Sequence, residues 1–307
     1  MVSVPSGIVP LFLRATRRNK AYVSAEAAHA LVTKFAMNPR PFGPPKRLRS
    51  DVHVEVRHDD SWPVYILTPT KSAPVGSVVY LHGGGWVNEI VSQHWHLAAQ
   101  IAADASTVVT VPIYPLIPFG TAEDATNGVV AIAEANRAAY GSVVLAGDSA
   151  GGQIALSAAM ALRDLGVTLP ATVLISPALD LSLSNPRIPE IQPSDPWLGV
   201  PGGLVLGDYW RGERELRDPV VSPLFGNFEG LGPLTVYSGT HDILNPDARL
   251  LVAKAEGAGV AVDYTEMPGQ LHDYPLFPTA VAASARRHIV ASIETALHVL
   301  SKRTPGW

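Results

Sequence analysis

The feature that most constrains this chain is an alternation that begins at residue 78. Short apolar runs at 78–81, 107–111, 142–146, 171–176, 234–238 and 260–265 alternate with segments of helical periodicity at 93–104, 121–138, 150–165, 247–258 and 278–301. Continuous apolar runs suit strands covered on both faces, and such alternation joins parallel strands through crossover helices. The predicted fold class is α/β, with a mainly parallel central sheet flanked by helices. Two further strands precede it. Val52, Val54 and Val56 alternate with polar residues, and residues 63–67 follow.

Two segments stand outside this pattern. Residues 24–37 read as an amphipathic helix with Ser24 as its N-cap, and the proline-rich, basic stretch at 38–49 reads as a linker. Residues 180–222 carry prolines, glycines, Trp197, Tyr209 and Trp210 but no clear strand. In parallel-sheet enzymes, insertions at the carboxyl ends of strands cover the active site. The expected organisation is a single domain over 1–307. A helical cap is formed by about 1–48 and 180–222, and a catalytic core by about 49–179 and 223–307.

Composition narrows the chemistry. The 307 residues include no cysteine, which excludes disulfides, thiolate metal sites and a cysteine nucleophile. The net charge of −4, with no basic block, argues against a nucleic-acid partner. No run is long enough for a membrane span. The basic residues Arg14, Arg17, Arg18 and Lys20 follow the apolar stretch at 8–13, the wrong order for a secretory signal, so a cytoplasmic location is expected.

Gly147-Asp148-Ser149-Ala150-Gly151 fits G-x-S-x-G. The pentapeptide alone is a weak signal, equally readable as a phosphate-binding turn, but no P-loop lysine accompanies it. Here the apolar run 143–146 leads in and a helical segment leads out, the strand–turn–helix setting that lifts a serine above a sheet edge. Ser149 is the candidate nucleophile, and the Ala150 N–H a candidate oxyanion donor. His82-Gly83-Gly84-Gly85-Trp86 follows the run 78–81 directly. Successive glycines leave backbone N–H groups unshielded, so Gly83 and Gly84 complete the expected oxyanion hole. His82 reads as a residue that ties the loop down rather than as the base.

In this fold the acid and then the base follow the nucleophile along the chain. Asp242 lies just after the strand 234–238 and is the candidate acid. Asp247, after Pro246, reads instead as a first-turn helix residue. His272 lies in the loop expected after the strand 260–265 and is the candidate base, because His288 and His298 fall within the final helix. Asp273 beside it either biases the base's pKa upward or faces solvent. His94-Trp95-His96 lacks a visible third ligand, so no metal is expected, and the two histidines are assigned to the pocket floor or the surface.

His82–Trp86, Gly147–Gly152 and Asp218-Pro219-Val220-Val221-Ser222-Pro223-Leu224 together resemble the hormone-sensitive-lipase family of α/β-hydrolases, over roughly residues 76–275. The resemblance implies an α/β-hydrolase fold and a serine carboxylesterase, needing no cofactor, that acts on short- to medium-chain esters. Two departures stand out. Tyr114-Pro115-Leu116-Ile117-Pro118 lacks the family's arginine and glutamate, and His272-Asp273-Tyr274 stands where the family usually has His-Gly-Phe. The stretch 218–224 and His272-Asp273-Tyr274-Pro275-Leu276 also resemble bacterial relatives that open lactones. Trp86, Trp197, Tyr209 and Trp210, with Phe225, are candidates for an apolar substrate pocket or for core packing. An amide or formamide hydrolase would use the same triad. A non-catalytic ligand-binding homologue would be expected to lack His272. A homodimer through the faces beside the final strand and helix is compatible with the sequence.

Overall fold

The computed structural model describes residues 4–16, 19–58 and 62–301. The parts of the expected cap at 1–3 and 17–18 lie outside the described residues. One sheet carries β1 (Val52–His58), β2 (Pro63–Pro69), β3 (Ser77–Leu81), β4 (Val108–Pro112), β5 (Val143–Asp148), β6 (Thr172–Ile175), β7 (Leu234–His241) and β8 (Val262–Leu271). Their order across the sheet is β1-β2-β4-β3-β5-β6-β7-β8. β2 pairs antiparallel with both β1 and β4, and the neighbours from β4 onward pair in parallel.

The helices are α1 (Ile8–Thr16), α2 (Lys20–Val23), α3 (Ala25–Met37), α4 (Ser92–Asp104), α5 (Ala122–Tyr140), α6 (Ala150–Asp164), α7 (Ile188–Ile191), α8 (Val200–Arg211), α9 (Asn245–Gly257) and α10 (Ala280–Ser301). None among the described residues is long and apolar enough to cross a membrane. The pleat of β3 distributes its side chains between two cores. Val79 and Leu81 join a core with Val129 of α5, Ile154 of α6 and Leu251 of α9. Val78 and Tyr80 join the opposite one, with Trp95 and Ile101 of α4 and Ile289 and Ile293 of α10. Burial on both faces explains why the run reads as continuously apolar. Each such aliphatic side chain contributes roughly 1.5–3 kcal/mol.

Two differences from the sequence reading position the site. First, β8 runs to Leu271, so residues 267–271, expected as a loop, are strand and deliver His272 directly. Pro268 is tolerated because β8 is the last strand in the sheet order, where a missing ladder N–H breaks no outer pairing. Second, the stretch 180–222 contains α7 and α8, and α8 packs on α2 and α3. The contact is intimate: a Cβ added at Gly202 of α8 would lie 2.0 Å from the Ala21 carbonyl oxygen. At α3, the Ser24 Oγ accepts the Ala27 N–H at 3.2 Å, the expected N-cap.

Candidate active site

β5 ends at Asp148 and α6 begins at Ala150, so Ser149 alone makes the turn between them, with φ 50° and ψ −117°. Such a backbone costs of order 1–3 kcal/mol and persists only where its surroundings enforce it. The Ser149 N–H donates to the Ile175 carbonyl of β6 at 2.8 Å. The turn also brings α6 against the end of β3. A Cβ on Gly151 would lie 2.0 Å from the Leu81 carbonyl oxygen, a backbone atom immediately before the glycine loop. Gly151→Ala is therefore expected to destabilise the protein by about 1–3 kcal/mol through overpacking. A urea melt indistinguishable from that of the wild type would contradict this close approach.

The parallel strands carry three side chains to one edge. Ser149 Oγ lies 2.9 Å from His272 Nε2, and His272 Nδ1 lies 2.9 Å from Asp242 Oδ2. A carboxylate oxygen only accepts, so Nδ1 carries a ring proton, and in the neutral ring Nε2 is the nitrogen that accepts the Ser149 hydroxyl. All three side chains are buried. The second oxygen of Asp242 accepts the Leu244 N–H at 2.9 Å, which restrains the carboxylate. Asp247, the rival acid, sits in the first turn of α9 and binds the Asn185 amide at 2.7 Å instead. Burial opposes charge on His272, but Asp242, Asp273 and Asp195 outweigh it and raise its pKa to about 10.

The glycine loop is anchored by a residue that the sequence reading passed over as the variable position of G-x-S-x-G. Asp148 Oδ1 accepts the Tyr80 hydroxyl at 2.5 Å, and Oδ2 accepts the Gly83 N–H at 2.9 Å. His94 Nε2 lies 3.2 Å from the same Oδ2. His94 Nδ1 accepts the Val91 N–H at 3.0 Å, so its proton sits on Nε2 and points at Asp148. Burial alone raises a carboxyl pKa, but His94 and Tyr80 prevail and hold Asp148 below its ordinary value. A charged residue at a buried strand position was the signal available in the sequence.

This anchoring corrects the expected oxyanion hole. The Gly83 N–H is already committed to Asp148 and cannot meet a substrate oxygen. The N–H groups of Gly84, Gly85 and Ala150 have no acceptor among the described residues. His82 ties the loop as expected: its Nδ1 donates to the Gly83 carbonyl at 2.8 Å and its ring stacks on Tyr114 at 4.6 Å. The Tyr114 hydroxyl donates to the His82 carbonyl at 2.6 Å, and the Ile117 N–H to the Trp86 carbonyl at 2.9 Å. These bonds tie the segment 114–118 to the glycine loop. His96 Nδ1 bonds the Ser92 carbonyl. Among the described residues no group of three or more His, Asp or Glu is placed to hold a metal ion.

A small cavity opens at Ser149, walled by Tyr22 of α2, Leu206 of α8, and Trp86, Leu181, Leu198 and Ile243. Of the five aromatic candidates for a pocket, Trp86 lines this one. Trp197 presents its ring edge-on to His272, with centroids 5.6 Å apart. Tyr209 and Trp210 do not line it. Tyr209 is 37% exposed and meets His29. Trp210 is fully buried and donates to Gln153 Oε1 at 2.8 Å, an oxygen that also accepts from Trp86 at 3.2 Å. An indole N–H needs such a partner when buried, so this tryptophan serves packing. Phe225 lies beneath Arg217 and Lys254 instead. Tyr22 was not identified beforehand, because nothing in a four-residue helix marks which side it faces.

Comparison with known proteins identifies the family and the fold. Residues 78–276 match the family described as alpha/beta hydrolase fold. The chain is 31% identical over 237 residues to a triacylglycerol lipase of Mycobacterium tuberculosis, covering 76% of this chain and only 50% of that protein. It is 33% identical over 201 residues to an acetyl-hydrolase of Streptomyces hygroscopicus, covering 64% of this chain and 67% of the relative. A predicted esterase from Staphylococcus aureus superposes with a TM-score of 0.84 at 26% identity, over 90% of this chain and 95% of that one. An esterase from the bacterial hormone-sensitive lipase family shares the fold with a TM-score of 0.81 at 24% identity, over 97% of this chain and all of that one.

Proposed function

The chain belongs to the α/β-hydrolase family, and from that premise we propose that it is a serine carboxylesterase of the hormone-sensitive-lipase type, acting on short- to medium-chain esters. The observation that carries the reading is Ser149 at the base of an apolar cavity, hydrogen-bonded to His272, with unshared N–H groups beside it.

In this reading Ser149 Oγ attacks the ester carbonyl while His272 Nε2 takes its proton. The new oxyanion is met by Gly84, Gly85 and Ala150. Each such donor is typically worth about 3 kcal/mol of barrier. His272 returns the proton to the leaving alcohol, and water repeats the cycle on the acyl-enzyme. Asp242 keeps the ring in the tautomer that leaves Nε2 free. The helical layer of α2, α3 and α8 acts as the cap, since Tyr22 and Leu206 close the cavity over the serine. A strongly basic imidazole is a weak acid toward departing amines, so esters and lactones are favoured over anilides.

The test is release of p-nitrophenol from acetate, butyrate and octanoate esters. The two short esters are expected to turn over, with kcat/KM on octanoate at least about tenfold lower, because Leu181, Leu198 and Leu206 crowd the cavity. An enzyme inert on all three would sink the esterase reading. A preference for octanoate would overturn the size limit alone.

A further inference from the structure

Asp273 has no part in the mechanism above, yet its Oδ2 lies 3.2 Å from His272 Nε2. That is the nitrogen that accepts the Ser149 hydroxyl. The Asp273 side chain is buried, and its other oxygen, Oδ1, has no hydrogen-bond partner among the described residues. The backbone fixes it there. Asp273 adopts φ 53° and ψ 31°, and its N–H donates to Ser176 Oγ at 3.1 Å. Aspartate and asparagine are among the few non-glycine residues that take this conformation readily.

The distance poses a chemical problem. With the ring proton on Nδ1 facing Asp242, Nε2 presents a lone pair, and a carboxylate oxygen at 3.2 Å would oppose it. The contact is favourable only with a proton between the two atoms, on Nε2 or on Oδ2. The surroundings hold that proton in place. Asp242 lies on the far nitrogen, and Asp195 adds negative charge to His272 from the segment before α8. Asp148, at the end of β5, adds negative charge that acts on Asp273. Tyr22 and Tyr80 also feel the Asp273 charge, but burial keeps their hydroxyls protonated. Among the described residues no lysine or arginine pairs with Asp273, whose ion-pair contact is His272.

We propose that Asp273 is a second carboxylate partner of the base, sharing one proton with His272 at Nε2 and setting the proton affinity of the imidazole from the side of Ser149. The pair must release that proton to solvent before Nε2 can accept the one from Ser149 Oγ. The transferred proton then lies between Asp273 and the leaving oxygen, so Asp273 strengthens the base and weakens the acid. The consequence for pH has a definite sign. Turnover is lost as pH falls through the raised pKa of the pair, and removing the carboxylate moves that loss to lower pH.

The kinetic arm rests on the esterase reading; a second arm does not. For the first, kcat/KM on p-nitrophenyl acetate, whose leaving group needs no acid, is followed against pH for wild type, Asp273→Asn and Asp273→Gly. The acidic limb of the wild type is expected above neutral pH. In both variants it moves down by at least about one unit, a roughly tenfold relative gain below both limbs. Asparagine keeps the shape and tolerates the left-handed backbone, and glycine does so without a side chain. For the second arm, the imidazole ¹⁵N shifts of His272 are titrated in the same proteins, which needs no turnover, and the same downward shift is expected. A shifted titration in an enzyme inert on esters would keep the proton sharing and defeat the esterase reading. Coincident titrations of His272 in wild type and both variants would overturn the proposal.

Discussion

Ser149→Ala is expected to lower kcat/KM on p-nitrophenyl butyrate by about four to six orders of magnitude. Ser149 has φ 50° on the turn between β5 and α6, and its hydroxyl lies 2.9 Å from His272 Nε2, the ring nitrogen that does not face Asp242. Alanine at this position leaves the Gly84, Gly85 and Ala150 N–H groups and the cavity unchanged, so residual hydrolysis should still exceed the uncatalysed rate. Binding of a non-reactive ester analogue should be retained. A variant with more than about a tenth of wild-type kcat would place the nucleophile elsewhere.

Asp242→Asn is expected to cost about 10⁴-fold in kcat, with KM changed far less. Two hydrogen bonds make the direction clear. Asp242 Oδ1 accepts the Leu244 N–H at 2.9 Å, and Oδ2 accepts from His272 Nδ1 at 2.9 Å. An asparagine must keep its carbonyl oxygen on the Leu244 N–H, because its amide nitrogen cannot accept there. The NH₂ group then faces Nδ1, which responds by accepting, and the ring proton moves to Nε2. His272 thereby meets Ser149 as a donor and loses its function as a base. Single-turnover kinetics on p-nitrophenyl acetate would show the loss in the acylation burst. A burst of wild-type rate would rule out Asp242 as the residue that sets the tautomer.

Much of this geometry was legible in the residues themselves. The apolar runs at 78–81 and 142–146 announced strands covered on both faces, and β3 and β5 are covered in that way. Chain order and strand ends led to Ser149, Asp242 and His272, which the structure brings into one hydrogen-bonded line. What stayed hidden depended on contacts across the sheet. Gly83 and Gly85 are equivalent in sequence, and only the Asp148 carboxylate below the loop separates the anchored N–H from the free ones. Tyr209 and Trp210 are neighbours in one aromatic cluster, yet helix geometry turns one toward solvent and the other onto Gln153. The aspartate after the base was visible as a departure from the family pattern. Whether it faced solvent or Nε2 was decided by its left-handed backbone and by Ser176.

On the proposed reading, Ser149 is a nucleophile activated by His272. The most direct measurement is covalent labelling with a fluorophosphonate, read by intact mass and peptide mapping. The wild type is expected to gain a single phosphonyl group, located on Ser149, and Ser149→Ala is expected to gain none on the same timescale. Labelling that persists in Ser149→Ala at the wild-type rate, or that maps to another residue in the wild type, would contradict the claim.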